Sequence, residues 1–307
     1  MKSLYKFKSK FCIYSFNLIY KVYNEVGDNM KRIERREFIE AIEKLCLDAN
    51  FDLSTKVLRI LEDSKETEES PVGTKILEQI IDNANLAKGE KLPMCQDTGI
   101  VVVFLEVGRV DFDFDPYKAT NEGISRAYEK GYLRKSVVAH PIDRENTGDN
   151  TPAIIHTKVV DTSSIKITLA PKGGGSENMS KLKILTPAEG REGIVKFVLD
   201  TIEEAGGKTC PPIIVGVGIG GNLEKSALIS KEALMRDIGD EAHNETDRAL
   251  EIELLKKIND LGIGPMGFGG TTTALAVKVN SYPCHIASLP VAVNLQCHAA
   301  RHKSVIL

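Results

Sequence analysis

The side chains in this sequence able to do chemistry gather in five short stretches. Leu92-Pro93-Met94-Cys95-Gln96-Asp97-Thr98-Gly99 sets a thiol, an amide and a carboxylate in direct succession, more than a structural turn requires; a turn capped by Asp97 is the plainer alternative. Tyr132 to Ser136, centred on Arg134, and Arg144 to Asn150 supply guanidinium forks that can grip a carboxylate bidentately, or serve as solvated surface charges. Pro171 to Asn178 contains Gly173, Gly174 and Gly175, whose backbone N–H groups can approach an anion. It is not a phosphate loop, because no G-x-x-x-x-G-K-[ST] occurs there. Thr209-Cys210-Pro211-Pro212 stands immediately before an apolar β-branched run, and Pro283 to His298 carries Cys284, His285, Cys297 and His298.

The six cysteines are too sparse in 307 residues for a disulfide scaffold, so they read as reduced thiols in a cytoplasm or as metal ligands. Cys46 falls on an apolar helical stripe and reads as a packed core thiol. Cys95, Cys210 and Cys297 belong to no C-x-x-C pair, which disfavours a zinc finger or a ferredoxin-type run. Cys297, His298 and His302 offer a local zinc reading without a spaced partner. Three cysteines on separate loops can still converge. Three thiolates on four irons leave one iron without a protein ligand, open to substrate. An electron carrier would close all four; a Lewis-acid enzyme needs the vacancy.

Composition bounds the partners and the elements that must hold these loops. A formal net charge of -3 creates no global field for nucleic acid, and the absence of Trp argues against base-stacking platforms. No stretch approaches the roughly 20 apolar residues of a membrane span. Residues 1–29 read as an extension or a mis-assigned start: Met1 to Asn24 carry five lysines and no acid, and Met30 precedes a strong helical pattern.

From there to about residue 90 the pattern is helical. Phe38, Ile39, Ile42, Leu45 and Cys46 recur at helical spacing, further helices are expected over Ser54–Ser64 and Val72–Lys88, and Gly89 reads as the stop. From about 91 to 307 the texture becomes strand and glycine. Strands are expected at Val101–Val107, Ala153–Val160, Ile165–Ala170, Ile213–Val217 and Thr273–Val279, with helices at Pro116–Lys130, Pro187–Ala205, near Ser230–Asp237 and over Glu241–Asp260. The glycines after Ile213–Val217 half resemble a dinucleotide loop but lack the spacing to an acidic ribose ligand. The fold class is mixed α/β (α+β), one domain over 30–307.

Cys95-Gln96-Asp97-Thr98-Gly99, Gly173-Gly174-Gly175-Ser176-Glu177-Asn178, Cys210-Pro211-Pro212 and the segment from Gly269-Gly270-Thr271 to Cys297 together resemble class I fumarate hydratase, and more narrowly the α subunit of its two-subunit form and of L(+)-tartrate dehydratase. The resemblance runs from about Met30 to Lys303. It implies a [4Fe-4S] cluster on Cys95, Cys210 and Cys297 with one open iron, and a small dicarboxylate approached by Gln96, Asp97, Arg134, the Gly173–Gly175 loop and His285. Asp97 and His285 are then the catalytic candidates, Asp97 as proton donor to the departing hydroxyl. Taken alone, His285 reads more simply as a hydrogen-bonded core histidine. Single-chain members of the family continue into a further domain, so the resemblance also implies a separate β subunit that completes the site, in an α2β2 assembly. Fumarate/(S)-malate and L-tartrate/oxaloacetate are not separated by these motifs; a non-catalytic iron–sulfur sensor or a zinc protein are the readings from other classes.

Overall fold

The structure, a computed structural model, describes residues 30–307; the expected extension over 1–29 lies outside the described residues. A two-residue strand β1 (Lys31–Arg32) leads into three helices, α1 (Arg35–Phe51), α2 (Thr55–Thr67) and α3 (Pro71–Glu90). Ser54 and Ser70 cap α2 and α3 by accepting from the N–H groups of Val57 and Gly73, and Pro71 sits in the first turn of α3, where its missing N–H costs nothing. Gly89 does not end α3 as expected. The helix runs on to Glu90, and Lys91 turns the chain out in the left-handed region at φ 53°.

Two four-stranded mixed sheets follow. The first is ordered β10-β5-β2-β4 from β2 (Ile100–Val107), β4 (Ile154–Val159), β5 (Ile165–Lys172) and β10 (Lys303–Ile306), with β2 and β4 parallel and the other neighbours antiparallel. A short β3 (Val110–Asp111) pairs with β1, and α4 (Pro116–Lys130) starts at an Asp115 cap. The second sheet is ordered β6-β9-β7-β8, from β6 (Lys181–Leu185), β7 (Ile213–Gly220), β8 (Ala274–Tyr282) and β9 (Leu289–Gln296). The short α5 (Gly174–Glu177) lies between the sheets in sequence, and α6 (Gly190–Ala205), α7 (Leu223–Leu234) and α8 (Glu245–Asn259) accompany the second.

Alternation along the strands divides the core. Val101, Val103 and Leu105 of β2 bury with Phe38, Ile39 and Ile42 of α1 and with Ile124 of α4. Ile213, Val215 and Val217 of β7 bury with Val198 and Ile202 of α6 and Leu254 of α8. The opposite face of β7 presents Ile214, Gly216 and Gly218. A Cβ on Gly216 would stand 2.2 Å from the Ser230 carbonyl oxygen, and one on Gly218 2.1 Å from that of Ser226. These glycines therefore let α7 lie directly on the sheet, which accounts for the half-match to a dinucleotide loop. A third cluster packs Leu61 of α2 and Leu77 of α3 against Ile214, Leu275 and Ala299, with the partly buried Cys297 at its border.

The expected helices and strands are present, with three shifts of consequence. The helix sought near Ser230–Asp237 begins earlier, at Leu223, behind an Asn222 cap. The acidic helix sought from Glu241 starts only at Glu245, where Asn244 supplies the cap. Strands β6, β9 and β10 were not expected at all. β9 is the central partner of β6 and β7 and leads directly into Cys297.

Candidate functional site

The three thiols sit at the ends of different elements. Cys95 lies in the turn between α3 and β2, held on both sides of Met94: Met94 N–H donates to the Asn50 carbonyl at 3.0 Å, and the Asn83 amide donates to the Met94 carbonyl at 2.9 Å. Cys210 occupies the left-handed region at φ 54°, just before β7. Cys297 follows β9, and the antiparallel register Ile214↔Gln296 brings it alongside the start of β7, hence beside Cys210. His298 Nδ1 meets the Cys210 carbonyl at 3.0 Å; a carbonyl only accepts, so Nδ1 carries the proton and holds the Cys210 loop against the Cys297 loop. Burial disfavours a charged His298. All three thiols are free and half-buried. Burial raises the Cys210 thiol above its ordinary value, and the nearby Cys297 and Cys95 raise it further, as like charges converging on one place must. Cys46, by contrast, is fully enclosed and pushed up to about 12, an inert core thiol as expected.

Asp97 joins the remaining loops. Its Oδ2 accepts from Gly174 N–H at 2.8 Å, its Oδ1 accepts from Gly99 N–H at 3.0 Å, and Arg134 Nη2 stands 3.2 Å from Oδ1. The bonds are those of an ionised acceptor. Gly173, Gly174 and Gly175 close over this carboxylate: a Cβ on Gly173 would lie 3.2 Å from Asp97 Oδ2 and 3.4 Å from Arg301 Nη2, and one on Gly175 3.4 Å from the Lys208 carbonyl. Arg134 is exposed, fixed by Nε donating to Ser136 Oγ at 3.2 Å, while its carbonyl accepts from Thr98 Oγ1 at 2.8 Å. Gln96, Gly174 and Gly175 are also exposed. The result is an open polar face that begins directly after Cys95.

Two cations beneath this face were not singled out from the sequence, although both stood inside or beside the chosen stretches. Lys172, at the end of β5, has only 1% of its side chain exposed, and donates to the Leu295 carbonyl and to Ser176 Oγ. Burial pushes its ammonium down to about 8 even though Glu177, at 3.2 Å, works the other way. Arg301 is 3% exposed and donates from Nη1 to the Asp97 carbonyl at 2.7 Å and to Asn50 Oδ1 at 3.3 Å. Their signal in the sequence was adjacency alone, Lys172 to Gly173 and Arg301 to the Cys297 segment.

His285 is not brought to this face within one chain. It lies in the exposed connection from β8 to β9, whose turn is closed by Ser288 N–H donating to the His285 carbonyl. Cys297 follows the far end of the eight-residue β9, roughly 25 Å along the strand at about 3.4 Å per residue. Arg144, at φ 64° in a surface turn, is likewise exposed. Cys297, His298 and His302 do not form a compact zinc site: among the described residues no three His, Cys, Asp or Glu side chains are close enough to hold a single metal ion. A four-iron cluster is wider than an ion, and three separate half-buried thiols suit it as a donor set.

Two mixed sheets flanked by helices carry the thiols, the paired carboxylate and the glycine turn on loops at their strand ends. Comparison with known proteins gives the class its name. The model of the family described as Fumarate hydratase (Fumerase) matches residues 39–306, and the chain belongs to that family of hydro-lyases. It is 43% identical over 270 residues to the "Putative L(+)-tartrate dehydratase subunit alpha" of Methanocaldococcus jannaschii, covering 85% of this chain and 94% of that protein. It is 33% identical over 280 residues to the L(+)-tartrate dehydratase subunit alpha of Escherichia coli strain K12, covering 87% and 92%. The resemblance read from the cysteine and glycine motifs holds at the level of the family. Among the described residues no helix is long and apolar enough to cross a membrane.

Proposed function

We propose that residues 30–307 form the α subunit of a cytoplasmic iron–sulfur hydro-lyase that reversibly hydrates fumarate to (S)-malate. Cys95, Cys210 and Cys297 would hold a [4Fe-4S] cluster with one iron left open. When bound, the cluster supplies a Lewis-acid centre for the hydroxyl that leaves as water.

This chain's own residues carry the rest. Arg134 offers its exposed guanidinium to one substrate carboxylate, with Gln96 beside it as a hydrogen-bond donor. Gly175, next to the Gly174 N–H that Asp97 engages, stands ready to offer its backbone N–H to the negative charge that grows on the dicarboxylate as its carbon-bound proton leaves. Asp97 exchanges the proton of the hydroxyl: it takes one from water in the hydration direction and returns it in dehydration. What supports this assignment above all is the meeting of Asp97, two residues after Cys95, with both Arg134 and Gly174, together with the mutual approach of the three thiols.

Among the described residues, none of the groups given a task here is the base that takes the carbon-bound proton. A separate β subunit, finishing the site in an α2β2 assembly, is the proposed source, in keeping with relatives that are themselves named subunit alpha. His285 can take part only at a site on another chain.

The names of those relatives are the ground for a second reading, dehydration of L(+)-tartrate to oxaloacetate. The deciding experiment is an anaerobic assay of the reconstituted chain with its partner, following fumarate and L-tartrate in parallel. Preferential turnover of fumarate supports the first reading and of tartrate the second; conversion of neither acid defeats both and leaves an iron–sulfur sensor.

A further inference from the structure

On the proposed reading of a thiolate-held cluster, we infer that Lys172 and Arg301 are positioning residues forming a buried cationic seat that balances the negative charge of the loaded thiolates. Each ties the strand-end segment around Cys297 to another loop of the site. Lys172 reaches from the glycine turn to the Leu295 carbonyl, two residues before Cys297. Arg301, four residues after it, reaches to the Asp97 carbonyl, two residues past Cys95.

Among the described residues their charges are incompletely matched. Arg301 bonds only to a carbonyl and an amide oxygen, forms no ion pair among the described residues, and leaves its Nε buried without an acceptor. Lys172 shares the single carboxylate of Glu177 with Lys231, whose side chain is only 14% exposed. Asp97, whose carbonyl Arg301 grips, has its carboxylate engaged by Arg134 and two backbone N–H groups. A buried cation lacking an anion is costly, and removing one partner of such an arrangement leaves the other exposed to the full desolvation penalty. Three thiolates carrying a four-iron cluster would bring negative charge to the loops that these two cations tie together.

The test uses the full chain, reconstituted anaerobically with iron and sulfide, as wild type, Arg301→Gln, Lys172→Gln, Arg301→Lys and Lys172→Arg. Iron and sulfide per chain, the one-electron midpoint followed by electron paramagnetic resonance, and melting of the metal-free chain are measured for each. A nearby positive charge favours the reduced cluster. Each Gln variant is therefore expected to lower the midpoint by about tenfold in the reduction equilibrium, about 59 mV, with the charge-keeping variants close to wild type. Gln and charge-keeping variants sharing one midpoint would overturn the seat. Should neither Gln variant fold, the charge-keeping pair decides: an unmoved midpoint supports the seat and a lowered one overturns it. A wild type that retains neither iron nor sulfide defeats the cluster as well, whereas a loaded wild type with unmoved variants defeats the seat alone.

Discussion

Gly174 N–H donates to Asp97 Oδ2 at 2.8 Å, so the carboxylate that follows the first thiol also caps the glycine turn that follows β5. Arg134 approaches the other oxygen of the same carboxylate. Asp97→Asn keeps the size of the side chain but removes the charge and the proton exchange. Turnover is expected to fall about 10²–10⁴-fold, the usual span for a lost general acid–base group. Steady-state rates of the reconstituted complex check this, with circular dichroism to confirm an unchanged fold.

Replacing Cys95, Cys210 or Cys297 singly by Ser is expected to abolish retention of iron and sulfide. Cys284→Ala and Cys46→Ala should leave both unchanged per folded chain. Alkylation of the metal-free protein, mapped by mass spectrometry, adds a second check. The half-buried trio and the exposed Cys284 should react, while Cys46, enclosed and shifted to about 12, stays unmodified until the chain unfolds.

Arg134→Lys retains a positive charge and loses the planar fork. A rise in KM of about tenfold, equivalent to about 1.4 kcal/mol, is expected for the dicarboxylate, with a smaller change in kcat. Equal losses in kcat and kcat/KM would instead assign Arg134 to the reacting state alone.

Glu68 fastens the turn between α2 and α3 to the loop before β8. Its carboxylate accepts from the N–H groups of Ser70, Thr271 and Thr272 at 2.9, 2.8 and 2.8 Å. Burial works to raise its pKa, but the Thr272 and Ser70 bonds, with the others, outweigh it and hold the group below the ordinary carboxylate range. The stabilisation is thus complete above the unfolded-state value of about 4.5 and is lost as pH falls through the lower folded value. Glu68→Gln should cost about 1–3 kcal/mol at neutral pH and progressively less in acid, measured by denaturant unfolding from pH 7 to pH 3.

The helices and central strands were legible because period and punctuation agree there. Ile39, Ile42 and Cys46 mark a stripe, and Pro71 opens α3 where a proline belongs. Gly89 misled because a glycine is only one way to leave a helix, and here Lys91 does it. Strand β9 was hidden because both its faces are buried, so Leu289 to Gln296 shows no alternation. The approach of Cys95, Cys210 and Cys297 was read from family resemblance, since spacing says nothing of which loops meet. Lys172 and Arg301 stayed unread because a buried cation looks like any other Lys or Arg until its surroundings are known.

The candidate centre draws one thiol from the approach to the first sheet and two from the ends of the inner strands β7 and β9 of the second, after which the chain crosses back to the first as β10. Anything gripped by all three sulfurs therefore acts as a rivet across a seam between two separately packed layers. Were it lost, the Lys172 bond from β5 to the Leu295 carbonyl of β9 would still span the seam, so the two layers would slacken against one another rather than separate.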